Sequence, residues 1–388
     1  MPLRLRNDLF AHGGNLKVFV DGIIFSRQRV GGISRMWEEY LKRLPHYGVA
    51  VKLLIPFYHH NSSLNRLLKQ QKQLEILSDY FYWPLRYFGR VRVRSGILEW
   101  YLDDSINIFH STYFTTVFNG RIKKVVTIHD MIPEIFEVRS PNRWVHFLID
   151  MKRRVMENAD RIIAISYNTK RDILAIYPWI PEEKISVIYH GVSLPKFDAN
   201  ISYECLAEKY ALDVKSGEYF LYIGLRGGYK NFELIIKLLE QDHSSRDWIF
   251  LCVGGEKNDL LPEIIAEKGL SRNFRFLRFV PDEELMILYR NAIALIYPSL
   301  YEGFGLPVLE AMANECPVIC SSTSSLPEVA GEAAIFFDPY SVESLKEGIV
   351  ELLRRDRNEI IAKGLENVKR FSWERSTKAL VDIYASLI

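Results

Sequence analysis

The chain has 388 residues, of which 48% are hydrophobic and 25% are charged, and its formal net charge is +2. This composition is typical of a folded globular protein, and it excludes intrinsically disordered and collagen-like chains. The near-neutral overall charge also argues against nucleic acid as a partner.

The length exceeds what one hydrophobic core usually supports, so we expect two domains. The first 190 residues carry 28 Lys and Arg against 18 Asp and Glu, whereas the rest of the chain carries 22 against 30. A basic first half and an acidic second half are typical of two units that face different partners.

Short apolar segments alternate with helix-like segments along both halves of the chain. Strands that alternate with helices form parallel sheets, so we predict an α/β fold with two doubly wound, Rossmann-like domains. The first half has predicted strands at 16–20, 49–56, 106–110, 124–128, 161–166 and 187–189. The second half has them at 219–223, 249–254, 274–279, 292–297, 317–320 and 334–337.

A polar segment that contains proline begins at His190-Gly191-Val192 and continues to about residue 202. We interpret it as a linker between a first domain over 1–195 and a second domain over 196–371. The cleft between two such domains is the expected ligand site.

Residues 299–310 contain the most informative motif. Glu302 and Glu310 lie on either side of a glycine-bearing turn between a predicted strand and a helix predicted to begin at Pro307. The N–H groups of such a helix bind phosphate, and carboxylates accept hydrogen bonds from sugar hydroxyls. The pattern therefore indicates a nucleotide sugar, although a helix with a stabilising acid near its start, beside an ordinary loop glutamate, has the same pattern.

A second glycine-bearing segment, 224–231, follows another predicted strand. Its glycines let the backbone approach a ligand, and Arg226 and Lys230 can neutralise a diphosphate. The alternative is a surface turn whose two cations are solvated.

Two polar positions in the first half lie at predicted strand ends. Gly31-Gly32 precedes a helix predicted from Ser34, and it indicates either close approach of a ligand or a tight turn. His129-Asp130 is a titratable pair at a carboxyl edge, and it is either part of the site or structural.

Cations and aromatic residues are mixed between residues 65 and 102. This mixture favours a surface that contacts anionic lipid headgroups or a lipid-linked acceptor, and the alternative is a solvated basic helix face over inward-packed aromatics. The residues are Lys69, Lys72, Arg86, Arg90, Arg92 and Arg94, with Tyr80, Phe81, Tyr82, Trp83, Tyr87, Phe88, Trp100 and Tyr101.

The cysteines and the hydropathy pattern indicate the cellular compartment of the protein. The four cysteines are sparse and scattered, and no pair has zinc-ligand spacing with matching histidines. The first residues lack the apolar core of a signal peptide. No apolar run is long enough to span a bilayer. We therefore expect a cytoplasmic protein, either free or peripheral on the inner face of the membrane.

Glu302 and Glu310, with seven residues between them, resemble the Glu-x7-Glu signature of retaining family 4 glycosyltransferases. The resemblance covers nearly the whole chain and includes further ordered matches. Gly31-Gly32 resembles the family's glycine loop, 127–130 its active-site histidine segment, and 164–170 its Val-Ser-x-x-Ser/Thr-Lys stretch. Residues 187–192 resemble the interdomain Val-Ile-x-Asn-Gly-Val with His190 in place of asparagine, 224–231 the phosphate clamp, 279–285 the base-binding turn, and 371–373 the point where the last helix crosses back.

The resemblance implies the GT-B fold, in which two Rossmann-like domains face each other across a cleft. It implies an acceptor-binding first domain, to which the helix over 372–388 returns, and a second domain that binds the nucleotide sugar. Arg226 lies one position later than the corresponding residue of many members, whereas Lys230 fits the pattern.

The resemblance also implies a role for each site residue. Glu310 would hold the ribose, Glu302 and His129 the transferred sugar, and Arg226 and Lys230 the leaving diphosphate. The remaining donor contacts would come from Gly31, Gly32, the Val280 backbone beside the base, and the loop residues Gly303, Phe304, Gly305 and Leu306.

The activity implied is retaining, metal-independent transfer of a hexose to a glycan or lipid-linked acceptor in polysaccharide synthesis. We favour a UDP-glucose type of donor, with GDP-mannose as the alternative, and we expect no cofactor because Asp-x-Asp, a common metal anchor, is absent from the sequence. A non-catalytic sugar-binding protein on the same scaffold is a further alternative. A dinucleotide-dependent oxidoreductase is disfavoured because no Gly-x-Gly-x-x-Gly follows a predicted strand.

Overall fold

The computed structural model describes residues 16–27, 31–55, 74–78, 98–193, 201–255 and 261–388. Their strands are β1 (Lys17–Val20), β2 (Ala50–Ile55), β3 (Leu74–Ser78), β4 (Ile108–Ser111), β5 (Lys123–Ile128), β6 (Arg161–Ala164), β7 (Ile185–Val187), β8 (Tyr219–Ile223), β9 (Ile249–Val253), β10 (Phe274–Leu277), β11 (Leu295–Tyr297), β12 (Val318–Ser321) and β13 (Ile335–Phe337).

These strands form two parallel sheets. The first sheet has the order β3-β2-β1-β4-β5-β6-β7, and the second has the order β10-β9-β8-β11-β12-β13. The predicted α/β fold with two doubly wound sheets is therefore confirmed. In each sheet the strand order reverses at the centre, between β1 and β4 and between β8 and β11, and open α/β sheets bind ligands beside such reversals at the carboxyl ends of the strands.

Helices connect the strands. They are α1 (Ile23–Arg27), α2 (Gly32–Arg43), α3 (Ile132–Phe136), α4 (Arg143–Asn158), α5 (Tyr167–Ile176), α6 (Tyr203–Lys209), α7 (Glu233–Gln241), α8 (Leu261–Glu267), α9 (Asp282–Arg290), α10 (Leu306–Ala313), α11 (Leu326–Ala330), α12 (Val342–Arg354), α13 (Arg357–Val368) and α14 (Trp373–Ala385). None of the helices in the described ranges is long and apolar enough to cross a membrane.

The last helix, α14, packs against the first sheet and its helix α2. The Tyr384 hydroxyl lies 2.5 Å from Nδ1 of the buried His110 in β4. The Trp373 ring lies 6.0 Å from the ring of Tyr40. A Cβ on Gly191 would lie only 2.2 Å from the backbone nitrogen of Trp373, so this close crossing requires glycine.

Several element bounds differ by a few residues from the sequence expectations. Strand β7 ends at Val187 rather than at 189, helix α10 begins at Leu306 rather than at Pro307, and α2 begins at Gly32 rather than at Ser34. Strand β3 was not predicted, because its segment lies inside the basic aromatic stretch 65–102. Apart from residues 74–78 and 98–102, that stretch lies outside the described residues.

Candidate active site

The loop between β11 and α10 carries Glu302 at the carboxyl edge of the second sheet. Gly305 in this loop has a φ of 102°, which is strained for any other residue. It lets the chain turn directly into α10, so the N–H groups of the first helical turn lie at the same edge as Glu302. The Ser325 hydroxyl donates to the carbonyls of Glu302 and Phe304, at 2.8 and 2.9 Å, and fixes the loop.

Lys230 contacts Glu302 directly. It lies in a 3₁₀ turn after β8, and its Nζ is 2.6 Å from Glu302 Oε1 and 3.0 Å from the Tyr297 hydroxyl. Burial lowers the pKa of the Lys230 ammonium, but the Glu302 carboxylate raises it, and the pKa lies well above its usual value. The site therefore holds one fixed cation beside one carboxylate.

Arg226 follows the same strand, β8, and is buried. Its guanidinium carbon lies 4.6 Å from the centre of the Phe276 ring. A Cβ on Gly255 would lie 2.0 Å from Nη2 of Arg226, so the glycine after β9 makes room for the guanidinium. Arg226 is thus held at the carboxyl edge by stacking and close packing.

His129, at the end of β5, joins this site from the first sheet. A Cβ on Gly303 would lie 1.8 Å from the His129 carbonyl oxygen, so the Glu302 loop touches His129 through a glycine backbone. His129 is buried, and its Nε2 has no hydrogen-bond partner among the described residues. Burial, with the charge of Lys152, lowers the pKa of His129 to about 3, so its imidazole is neutral at pH 7.

A second buried histidine, His190, lies beside His129, with ring centres 6.3 Å apart. Its ring packs between Phe304, at 5.0 Å, and Trp373, at 5.8 Å. Burial, with a contribution from His129, lowers its pKa to about 3. The histidine that replaces the family's asparagine is therefore an apolar packing partner of the loop that carries Glu302.

Gly31 and Gly32 lie across the cleft from α10. Gly31 is the N-cap of α2, and a Cβ on Gly32 would lie 3.7 Å from Leu306 at the start of α10. The two helix N-termini therefore approach one another from the two sheets. Backbone N–H groups and positive dipole ends make such a place suitable for an anion.

Glu310 is bound by residues that the sequence analysis did not single out. Arg35 on α2 forms an ion pair with Glu310 Oε1, and the Tyr289 hydroxyl donates to Oε2 at 3.2 Å. Arg35 also lies 2.5 Å from Asp282, the first residue of α9. The sequence signal that could have identified Arg35 is its position one helical turn after Gly31. Its partners, however, lie more than 240 residues away in sequence.

Val280 is buried in the turn between β10 and α9, two residues before Asp282. The Arg35 contacts therefore connect this turn with Glu310 and with the first sheet. Contacts in the described residues join Lys230 to Glu302, Gly303 to His129, and Gly32 to Leu306. The site thus combines cations, helix N-termini, carboxylates and a neutral histidine, which suits a ligand with a diphosphate and several hydroxyls.

Two family models match the chain: Glycosyltransferase Family 4 over residues 30–195, and Glycosyl transferases group 1 over residues 208–369. The O-antigen chain mannosyltransferase B of Escherichia coli is 32% identical over 277 residues, which are 68% of this chain and 71% of that protein. The O-antigen chain mannosyltransferase RfbU of Salmonella typhimurium is 29% identical over 264 residues, 66% of this chain and 70% of that protein.

Among solved structures, Anabaena HepE in complex with UDP and glucose matches with a TM-score of 0.70 at 16% identity, over 95% of this chain and 99% of that chain. This likeness supports the predicted GT-B fold of two Rossmann-like domains. The family models and the E. coli relative assign the family. The chain belongs to the group 1, family 4 glycosyltransferases.

Proposed function

We propose that this glycosyltransferase moves a hexosyl group from a nucleoside diphosphate sugar to a glycan or lipid-linked acceptor in polysaccharide synthesis, with retention of anomeric configuration. The 2.6 Å contact between Lys230 and Glu302 carries the proposal. This contact brings a cation, which can stabilise a leaving diphosphate, next to a carboxylate, which can accept from sugar hydroxyls. The pair is buried and lies near His129, whose Nε2 has no hydrogen-bond partner among the described residues.

Each carboxylate has its own part of the donor in this proposal. Glu310 accepts hydrogen bonds from the ribose hydroxyls, and Glu302 accepts them from the transferred sugar. His129 is neutral, and its Nε2 lacks a hydrogen-bond partner in the described part of the chain; it contacts the same sugar. The Val280 backbone meets the base, and the N–H groups of the 304–306 turn meet the sugar and the phosphates.

The proposed step forms a bond between the anomeric carbon and an acceptor oxygen, and it breaks the bond from that carbon to the diphosphate. The acceptor proton goes to the leaving phosphate oxygen on the same face, which accounts for retention. Negative charge grows on the diphosphate during this step. Arg226 and Lys230 stabilise that charge, and this is the main contribution of the protein to the rate.

The proposal requires no metal ion or other cofactor, because two cations and two helix N-termini supply the stabilisation of the diphosphate. Treatment with EDTA is expected to leave the transfer rate unchanged. Loss of transfer that added Mg²⁺ restores would contradict this part of the proposal.

For the donor we reverse the order that the sequence analysis favoured, and we propose GDP-mannose first and UDP-glucose second. Both named sequence relatives are mannosyltransferases, which supports mannose. The bound UDP and glucose of HepE, a structure with a similar fold at 16% identity, support the second donor. A thermal-shift panel of GDP, UDP and ADP with their common sugars separates the two, since the correct donor stabilises the folded protein most.

The acceptor is proposed to bind at the mouth of the cleft on the side of the first sheet. The exposed ring of Phe136 lies 6.1 Å from Tyr301 and 6.4 Å from Tyr229, the neighbours of Glu302 and Lys230. Further along the same rim, Arg27 lies 5.5 Å from the exposed ring of Trp144. Exposed aromatic rings beside a cation suit an amphipathic acceptor with a polar headgroup.

Peripheral membrane contact on the cytoplasmic side is proposed for the stretch 65–102, which lies largely outside the described residues. Within the described part, Trp100 is 82% exposed. Charge reversal of Arg90, Arg92 and Arg94 should abolish binding to liposomes that contain anionic lipid. Unchanged binding would contradict the membrane proposal alone.

Transfer of radiolabelled hexose from the selected donor to a panel of glycan and lipid-linked acceptors tests the central function. Proton NMR of the product then reports the anomeric configuration, which we expect to match that of the donor. The second candidate is a sugar-binding protein without catalytic activity. Donor binding without turnover across the whole panel would favour it.

A further inference from the structure

Helix α5, in the first half of the chain, contacts the loop that carries Glu302. The Ser166 hydroxyl at its N-cap donates to the Gly303 carbonyl at 2.7 Å, and the Thr169 hydroxyl donates to the same carbonyl at 3.3 Å. Both side chains are fully buried. The residue that follows Glu302 is therefore held from the opposite side of the cleft.

The residue that precedes Glu302 is held by the same helix. The Tyr301 hydroxyl donates to Asp172 Oδ2 at 2.6 Å, and Tyr301 is buried. Asn168 donates to the same carboxylate oxygen at 2.8 Å, so Asp172 is itself fixed. Burial raises the pKa of the Asp172 carboxyl, and the Tyr301 and Asn168 hydrogen bonds lower it in part.

The spacing of these contacts follows from the geometry of the helix. Ser166, Thr169 and Asp172 recur every three residues, which places them along one face of the first turns of α5. A third contact fixes the end of the same helix: Glu328 of α11, in the second half, accepts hydrogen bonds from the backbone N–H groups of Tyr167 and Asn168, at 2.7 and 3.1 Å. The helix is thus docked on the second half through its N-terminal end.

We propose that Ser166, Thr169 and Asp172 are positioning residues that orient Glu302 toward the transferred sugar by holding Gly303 and Tyr301 on its two sides. This inference rests on the proposed role of Glu302 at the transferred sugar. The docking of the two halves then completes the sugar site, whereas the nucleotide contacts at Arg226 and Glu310 do not involve α5. In this proposal the stretch 164–170, which resembles a family motif, holds the loop that carries Glu302.

A positioning role and a purely structural role of these residues predict different kinetics. A positioning residue for Glu302 acts on the transfer step, so its loss lowers kcat while the affinity for free nucleoside diphosphate stays the same. Loss of a residue that merely supports the fold lowers the melting temperature, and it does not change kcat separately from the affinity for free nucleoside diphosphate. We expect Thr169→Val to lower kcat about threefold to tenfold, the range of one neutral hydrogen bond.

A conservative variant that keeps the hydroxyl should recover the lost kcat. Thr169→Ser keeps the hydroxyl and should restore kcat to within about twofold of the wild type, although it removes a methyl group that Thr169→Val keeps. Tyr301→Phe and Asp172→Asn test the second contact, and their double variant should be no slower than the slower single variant. Tyr167→Phe is the matched control, because it removes an exposed hydroxyl from the same helix.

The experiment measures kcat for transfer, the Kd for the free diphosphate and the melting temperature for all of these variants of the full chain. The inference is overturned if Thr169→Val and Tyr301→Phe keep wild-type kcat, if Thr169→Ser fails to recover it, or if the two effects at Tyr301 and Asp172 add as independent ones. Absence of transfer by the wild type would instead count against the proposed function itself, so the two failures are distinct.

Discussion

The ammonium of Lys230 lies 2.6 Å from the carboxylate of Glu302, and their side chains are only 14% and 11% exposed. Lys230 follows a strand of the second sheet, and Glu302 follows the neighbouring strand. Two loops that are 72 residues apart thus supply opposite charges to one place. In the proposed function, the donor's diphosphate contacts this cation and its sugar hydroxyls contact the carboxylate.

Lys230→Met should lower kcat by about 10²- to 10³-fold, because the charge that develops on the diphosphate loses a fixed cation in a buried site. It should also lower the free energy of unfolding by about 3 kcal/mol, since Glu302 is left as an unpaired buried carboxylate. Transfer of labelled hexose and urea denaturation measure the two effects. Lys237→Met, on the exposed face of α7, is the control, and wild-type transfer by Lys230→Met would contradict the assignment.

Glu310→Ala and Glu302→Ala should differ in the step that they impair. Loss of Glu310 removes hydrogen bonds from ribose to a charged group, so the Kd for free nucleoside diphosphate should rise about tenfold or more. Loss of Glu302 should slow transfer and leave that Kd nearly unchanged. Isothermal titration with the free diphosphate, together with single-turnover transfer, separates the two, and equal effects on nucleotide affinity would refute the division.

Three histidines that are buried within the described ranges should make the fold sensitive to acid. Burial lowers the pKa of His110, His129 and His190 from 6.5 to about 3. The unfolded chain therefore binds more protons than the native chain within this window, and stability falls as pH decreases below 6.5. Each histidine contributes about 1.4 kcal/mol per pH unit to this loss.

Urea denaturation at several pH values checks this prediction. His190→Asn introduces the residue that the family motif has at this position, and it should reduce the histidine part of the pH slope by about one third. A slope that is identical in wild type and His190→Asn would show that His190 is protonated in the native state.

Trp144→Ala should raise the KM for the acceptor about fivefold while the donor KM stays constant, because the proposed acceptor face loses an exposed ring beside Arg27. Trp179→Ala is the matched control. It removes another exposed tryptophan, located in the loop before β7 and therefore at the opposite edge of the sheet. Equal effects of the two substitutions would contradict the proposed acceptor face.

Apart from β3, the sequence was sufficient to predict the strands of the two sheets and the edges at which the candidate site residues lie. Buried parallel strands have apolar, β-branched segments, and polar residues that directly follow them must lie at the carboxyl edge. This reasoning correctly placed Lys230 and Glu302 at one edge, and His129 at the edge of the other sheet.

The contacts between the two halves were not predictable from local patterns. The ion pair of Arg35 with Glu310 and the hydrogen bond from Ser166 to Gly303 depend on how the two sheets face each other, which no periodicity encodes. The end of β7 was misplaced for a similar reason. The aromatic Tyr189 was predicted to be a strand residue, but it lies after the end of β7 and packs against Phe371, with ring centres 5.6 Å apart.

Transfer of labelled hexose by the full chain and by its Lys230→Met variant tests the central claim most directly. The assay supplies GDP-mannose or UDP-glucose together with lipid-linked glycan acceptors. We predict that the wild type moves label from one of these donors to an acceptor and that the variant is slower by at least about 10²-fold. Binding of the donors without transfer to any acceptor, or equal transfer by wild type and variant, would contradict the account.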